Sequence, residues 1–251
     1  MAELLLEDET IEDLQLKGLR LIQKKNAFRY GMDTVLLADF AKIREKDVVA
    51  DLGTGNGILP LLLYGRGRGS RYYALEIQEE AAELARRNAE LNGLEERITV
   101  ICADALEANR YIEPCSVDAA VCNPPYGLPD ASLSSPKKTK ATARNQQGNT
   151  LDHLFRGAFG ILKGRGKLFL VYPAPQMLSV MEKLQAHHLE PKRFRMVYPC
   201  ADKPANLVLI EAVKDARPML HPMPPLVVYR EDGTLTDELK SVYHIQEQTE
   251  F

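Results

Sequence analysis

Tryptophan is absent from this 251-residue chain, and aromatic residues make up only 7% of it, so any stacking surface must come from tyrosine or phenylalanine. Cysteine is scarce. Cys102, Cys115, Cys122 and Cys200 are the four present, and none stands at the CxxC spacing of a zinc or redox motif. No metal site is expected, and Cys102 and Cys122, which fall in strand-like runs, read as reduced core residues. No apolar run approaches the roughly 20 residues that a membrane-spanning helix needs. The acidic start, Glu3 to Glu9, does not resemble a secretory signal. The expected setting is the cytoplasm, with no membrane partner. Positive charge is not in excess either: the formal net charge is −3. A domain that binds polyanions is often basic overall, so any such contact here has to be local.

What the chain does have is enough apolar content for a substantial core, with 45% hydrophobic and 27% charged residues. That suits one domain, or one domain with an appendage. Short apolar runs alternate with helical periodicity. Strands are expected at Val48–Leu52, Arg71–Ile77, Ile98–Asp104, Ala119–Cys122, Gly166–Tyr172, Arg193–Val197 and Leu207–Val213. Helices are expected over Glu79–Asn92, which ends at Asn92-Gly93, over Leu151–Leu162, and over Met177–His187. A further helix follows Phe28, with Asp33 or Thr34 as its N-terminal cap. Strands alternating with helices imply a mostly parallel sheet. The last two strands, joined without a helix, form an antiparallel pair.

Two turns carry the chemistry. Asn123-Pro124-Pro125-Tyr126 follows the apolar run Ala119–Cys122. Two prolines cannot continue a strand ladder or enter a helix interior, so the backbone turns there. An amide and a phenol are left at a strand's carboxyl end, where open α/β sheets bind ligands. The amide oxygen and a proline carbonyl can accept hydrogen bonds from an exocyclic amine, and a tyrosine ring can stack on a planar group. The bland alternative is an ordinary proline turn. Upstream, Asp51-Leu52-Gly53-Thr54-Gly55-Asn56-Gly57 joins a strand to a helix start. Its G-x-G-x-G spacing departs from the dinucleotide fingerprint. Asp51 would also oppose a pyrophosphate at a helix N-terminus, and suits a cationic ligand better. Glu76 ends the next strand, about 20 residues on, where an acid bonds ribose hydroxyls in doubly wound folds. Asp104 ends the strand after that.

Asp51-Leu52-Gly53-Thr54-Gly55-Asn56-Gly57 resembles motif I of the class I methyltransferases that use S-adenosylmethionine, and Asn123-Pro124-Pro125-Tyr126 resembles motif IV of their amino-methylating members. The resemblance implies an α/β fold: a doubly wound, mostly parallel seven-stranded Rossmann-like sheet with an antiparallel edge strand. It implies S-adenosylmethionine as cofactor, held by Thr34, Asp51, Gly53, Gly55, Gly57, Glu76, Ile77, Asp104, Ala105 and Asn123, with Asp104 taking the adenine amine. The catalytic group would be Asn123, Pro124, Pro125 and Tyr126. The segment Phe28–Ala41, the run from Leu189 to Leu209, and Pro224–Tyr229 with Asp232-Gly233 narrow it further. Together they are similar to the bacterial tRNA1(Val) adenine-N6 methyltransferase family, whose members modify the adenosine 3′ of the anticodon. One departure stands out: Ala143-Arg144-Asn145-Gln146 occupies the place where that family shows Ala-Arg-His-Glu. It bears on the choice of RNA rather than on methyl transfer. The implied organisation is an N-terminal extension over 1–27, a methyltransferase domain over 28–215, and a C-terminal extension over 216–251 packed on that domain.

Local charge fits an RNA partner, most simply a tRNA. Lys137, Lys138, Lys140 and Arg144 form one basic run without an acid, and Lys192, Arg193 and Arg195 form a second around Phe194. Such clusters position nucleic acid through its phosphates, although each alone is also what a solvated face looks like. The mechanism implied is acceptance of the exocyclic amine by Asn123 and the Pro124 carbonyl, with Tyr126 stacked on an unpaired base. Alternatives are adenine methylation of ribosomal RNA or DNA, and methylation of a glutamine amide in a release factor, whose enzymes carry a helical N-terminal domain. A non-catalytic, S-adenosylmethionine-responsive RNA-binding module is a further alternative. The oligomeric state stays open, and the five histidines form no constellation in the sequence.

Overall fold

A computed structural model describes residues 5–25, 31–125 and 140–244, of which 140–149 as helical backbone. The chain begins with a two-stranded antiparallel hairpin, β1 (Glu9–Asp13) and β2 (Arg20–Lys24). There follow α1 (Met32–Phe40), β3 (Val48–Leu52), α2 (Ile58–Gly65), β4 (Arg71–Glu76), α3 (Glu79–Leu91) and β5 (Ile98–Cys102). A short 3-10 helix (Ala105–Arg110) leads to β6 (Val117–Cys122), α4 (Lys140–Ile161), β7 (Leu162–Pro173) and α5 (Met177–Ala186). The chain then forms β8 (Leu189–Cys200), β9 (Leu207–Lys214), β10 (His221–Pro222), β11 (Leu226–Tyr229) and α6 (Asp237–Val242).

Nine strands form the main sheet in the order β10-β8-β9-β7-β6-β3-β4-β5, with β11 also pairing to β8. The seven strands read from the sequence are its body. The antiparallel member is β9, and it lies inside the sheet between β7 and β8, not at the edge. Beyond it the short β10 and β11 add in parallel to β8. Neither was visible as a strand, because runs of two and four residues between prolines carry no periodicity.

Alternation along β7 divides the core. Phe169 and Val171 face a cluster with Leu36 of α1 and Leu61 and Leu63 of α2. Leu168, Leu170 and Tyr172 face a second cluster with Phe155 of α4 and Val180 and Leu184 of α5. Burial on both faces is what makes these strands read as continuous apolar runs.

Strands β7 and β8 extend past the runs expected for them, and three further features differ from the sequence reading. The cap of α1 is Gly31, with extended backbone and no side-chain cap bond; Asp33 lies within the first turn and its Oδ1 accepts from the Thr34 N–H at 2.8 Å. Helix α4 starts eleven residues before Leu151, since it runs from Lys140. The hairpin was not expected, because its burial is inverted: Glu9 is buried and Ile11 exposed. Glu9 tolerates this by taking both guanidinium nitrogens of Arg87 at 2.7 Å.

Two asparagines on α3 seat the hairpin. Asn88 and Asn92 stand four residues apart, on one face of the helix. Asn92 accepts from Arg20 N at 2.9 Å and donates to Arg20 O at 2.8 Å, while Asn88 accepts from Ile22 N at 2.6 Å and donates to Ile22 O at 3.0 Å. The side-chain amides thus stand in for a neighbouring strand along the free edge of β2. Asn88 also donates to Asn56 O at 2.9 Å, which ties the hairpin to the glycine turn.

Candidate active site

Strands β3, β4, β5 and β6 are parallel, so their carboxyl ends share one side of the sheet. The order reverses at β3, which has β4 on one flank and β6 on the other. That is the switch point where open α/β sheets form their ligand crevice. A cleft of about 650 Å³ opens there, walled by Gly53, Gly55, Glu76, Ile77, Asp104, Ala105, Asn123, Pro124 and Pro125, with Asp33, His153 and Leu154.

The glycine turn forms its floor. Gly53 and Gly55 hold φ of +79° and +58°, and a Cβ on either would meet nothing within 4 Å. The turn therefore needs glycine for its backbone, and it presents bare main chain to the cleft. Glu76 braces it from the next strand, accepting from Gly55 N at 2.9 Å and from Gln78 N at 3.0 Å. Each carboxylate oxygen has further acceptor capacity. Gly57 adopts φ +82°, and a Cβ there would stand 3.2 Å from the Ala85 Cβ, so glycine lets the start of α2 sit against α3.

Asp51 sits behind the turn rather than on the cleft wall, and is 1% exposed. Its Oδ2 accepts from the Thr54 hydroxyl at 2.5 Å, while Oδ1 has no hydrogen-bond partner among the described residues. Burial pushes its pKa up to about 7, the Thr54 hydrogen bond working against this and the charge of Glu76 adding to it. A buried carboxyl with an unsatisfied oxygen is costly unless something completes it.

At the other end, Ile77 is 63% exposed although large and apolar. With Ala105 and Leu154 it offers an apolar slot for a planar group. Asp104 caps the 3-10 helix by accepting from Leu106 N at 2.9 Å, and its second oxygen lies 2.8 Å from His153 Nδ1. His153 is the site residue that sequence reasoning missed. It comes from the middle of α4, and nothing in its own neighbourhood marks it. Helix α4 lies close here because of glycine: a Cβ at Gly157 would stand 2.0 Å from the Ala105 carbonyl oxygen.

Asn123 lies at the end of β6, and its Nδ2 donates to the Thr34 hydroxyl at 2.9 Å. This bond fixes the amide's orientation and joins α1 to the proline turn. Thr34 is on the wall of a second cleft of about 380 Å³, which meets the first along Gly53, Gly55, Gln78 and Asn123.

The structure thus gathers Thr34, Gly53, Gly55, Glu76, Ile77, Asp104, Ala105, Asn123, Pro124 and Pro125 around the two clefts, with Asp51 and Gly57 in the layer behind. Tyr126, Lys137 and Lys138 lie outside the described residues, as do the side chains of Lys140 and Arg144. Two basic residues of the second cluster pair with acids of the fold. Arg193 is paired with Glu211 at 2.6 Å and lies over the Phe40 ring at 4.8 Å. Arg195 donates to the carbonyls of Pro224 and Pro225 and pairs with Glu238 at 2.7 Å. Both arginines are thus drawn to acids of the fold, Arg193 sharing Glu211 with Lys167, and less of their charge faces a phosphate. Lys192 is half-buried, its Nζ donating to Arg217 O at 3.0 Å.

An adenosine carrying a cationic amino-acid tail fits this donor set: an apolar slot beside a carboxylate, an acid at ribose distance along the next strand, and bare glycine main chain above a buried, incomplete carboxyl. Among the described residues no group of histidine, cysteine and acidic side chains could hold a metal ion, and no helix is long and apolar enough to cross a membrane.

Comparisons with known proteins agree with this geometry. Residues 29–192 match the model of the methyltransferase small domain. The chain is 32% identical to the tRNA1(Val) (adenine(37)-N6)-methyltransferase of Bacteroides thetaiotaomicron over 70% of its own length and 72% of that protein. It is 27% identical to the protein of the same name from Trichodesmium erythraeum, over 93% of this chain and 92% of that one. Its fold is similar to the crystal structure of a predicted O-methyltransferase from Agrobacterium tumefaciens, with a TM-score of 0.68 at 21% identity, covering 85% of this chain and 96% of that one.

Proposed function

The chain belongs to the methyltransferase small domain family, and we propose that it methylates the exocyclic N6 amine of an adenosine in tRNA, in tRNA1(Val) beside the anticodon. The enzyme's methyl donor is S-adenosylmethionine. The observation that carries the substrate reading is Asn123, at the end of β6 with its Nδ2 committed to Thr34 at 2.9 Å. That commitment fixes the amide, whose other end is a carbonyl acceptor of the kind an incoming amine needs. The relatives' names, quoted above, support adenine in tRNA as the bearer of that amine.

When bound, S-adenosylmethionine supplies a methyl group on a positive sulfonium. The chain's own residues do the rest by orientation. An adenine amine is a poor nucleophile because its lone pair is delocalised into the ring. Hydrogen bonds from its two N–H groups to Asn123 Oδ1 and to the Pro124 carbonyl localise that pair and aim it. The nitrogen gains a carbon–nitrogen bond and gives one proton to solvent afterwards, so no strong base is required. Ile77, Ala105 and Leu154 hold the cofactor's adenine, Glu76 its ribose and Asp104 its amine. Tyr126, next to the turn, supplies the ring on which an unpaired base stacks, a contact worth about 1–3 kcal/mol. Lys137, Lys138, Lys140, Arg144 and Lys192 provide phosphate contacts.

The test is incubation with methyl-labelled S-adenosylmethionine and total RNA from a strain lacking the gene, followed by nucleoside analysis of each size class. The reading expects label in N6-methyladenosine of the tRNA fraction. Label confined to ribosomal RNA would replace the substrate and keep the chemistry, and label in a protein would overturn the adenine assignment.

A further inference from the structure

The second cleft contains a side chain that nothing above has used. Gln23, on β2, is 3% exposed, and neither Nε2 nor Oε1 of its amide has a hydrogen-bond partner among the described residues. A fully unsatisfied buried carboxamide is rare in native folds, and each such group calls for an explanation. Gln23 lies on the wall of this cleft together with Thr34 and with Gly53, Gly55 and Asn123, three residues that also line the main cleft.

The path of the cofactor follows from the ends of the main cleft. With its adenine against Ile77 and Ala105 and its ribose against Glu76, as assigned above, its 5′ substituent would cross the glycine turn at Gly53 and Gly55, the residues that with Asn123 are shared by the two clefts, and end in the second. That substituent finishes in an amino acid with one carboxylate and one ammonium. A carboxamide has the matching pair of groups: two N–H donors for a carboxylate and a carbonyl acceptor for an ammonium. The charged residues of the second cleft, Lys24 and Glu80, pair with each other at 3.1 Å and are exposed at the rim. Among the described residues lining this cleft, the neutral Gln23 is the one whose buried side-chain polar atoms have no partner.

We propose that Gln23 reads the amino-acid end of the cofactor, so that the N-terminal hairpin, through β2, forms part of the cofactor site. The hairpin is placed to do this, because Asn88 holds both Ile22 beside Gln23 and Asn56 in the glycine turn. The proposal rests on the cofactor assignment, but not on the identity of the methylated substrate.

The experiment is calorimetric titration of the full chain with S-adenosylhomocysteine and with 5′-methylthioadenosine, which shares the nucleoside and sulfur but lacks the amino acid. Gln23→Leu is expected to raise Kd for S-adenosylhomocysteine about tenfold and to leave that for methylthioadenosine within about twofold. Its ligand-free melting temperature should hold or rise, since an unsatisfied amide is replaced by an apolar side chain of similar size. Gln23→Glu should show the same selective loss, by placing a negative charge against the carboxylate. Equal losses for both ligands would mean a structural role and overturn the proposal, as would no loss for either. If the unaltered chain bound neither ligand, the cofactor assignment itself would fail.

Discussion

Asn123 and Asp51 both end up near the glycine turn, but they make opposite demands at the level of the single side chain. Asn123 is positioned by Thr34 to act on a substrate, so Asn123→Ala should lower kcat by roughly 100-fold, the scale seen when one positioned hydrogen-bonding group is lost from a reacting centre. S-adenosylhomocysteine binding, followed by calorimetry, should change little; full turnover with intact binding would disprove the role. Asp51 instead strains the ligand-free protein. Its folded pKa of about 7 lies above the ordinary aspartate value of 3.8, so folding favours the protonated carboxyl. Its contribution to stability is complete below about pH 4 and is lost as pH rises toward 7. The asparagine variant has no such proton to lose. Asp51→Asn should be the more stable protein in ligand-free urea unfolding at pH 8, by up to about 4 kcal/mol from the size of the shift, and the gap should close near pH 4. These two residues were legible in the sequence because motif spacing marks them. Arg193, Arg195, His153 and Gln23 were not. Counting charges does not show that Glu211 and Glu238 pair with the two arginines, and His153 meets Asp104 only when α4 crosses the end of β5.

Among the elements, the parallel strands were readable because burial on both faces leaves runs such as Val48–Leu52 almost wholly apolar. The hairpin escaped because its support is polar: Glu9 is buried against Arg87, and the outer edge of β2 is satisfied by the amides of Asn88 and Asn92. Asn92 did look informative, as a helix end, but its hydrogen bonds to Arg20 depend on a segment 72 residues away. The prediction at this scale is Asn88→Ala. It strips Ile22 N and Ile22 O of their partners in a buried setting, and Asn56 O of one in a partly buried setting. At about 1–3 kcal/mol for each buried backbone group left unpaired, the loss should be about 2–5 kcal/mol, measured by urea midpoint at constant slope. Because the same amide spans hairpin and glycine turn, S-adenosylhomocysteine should also bind more weakly to the folded variant. A stability change below about 0.5 kcal/mol would show that the ladder of side-chain amides does not hold the hairpin.

Over the whole molecule, the question is what the residues after 215 contribute. The sequence reading has 216–251 as an extension packed on the domain, and its described residues supply strands to the sheet and side chains to the core. Strands β10 and β11 cover the edge of β8, which would otherwise offer unpaired backbone to a second chain. Leu226, Val228, Leu239 and Val242 are each at most 5% exposed and sit in the same core cluster as α1 and α2. Arg195 takes its three acceptors, Pro224, Pro225 and Glu238, from this segment, and Arg66 donates to the Val242 carbonyl at 2.7 Å. Burying four such aliphatic side chains is worth about 1.5–3 kcal/mol each, which together rivals the 5–15 kcal/mol of an ordinary domain. Removing 216–251 would also leave the Arg195 guanidinium half-buried without a counter-charge. We therefore expect the chain ending at residue 215 to aggregate, or to populate a state without a cooperative thermal transition, although every motif residue of the cleft is still present. A truncated chain that stayed monomeric and melted within about 5 °C of the intact protein would show that the segment is an appendage after all, and that the cleft's framework ends at β9.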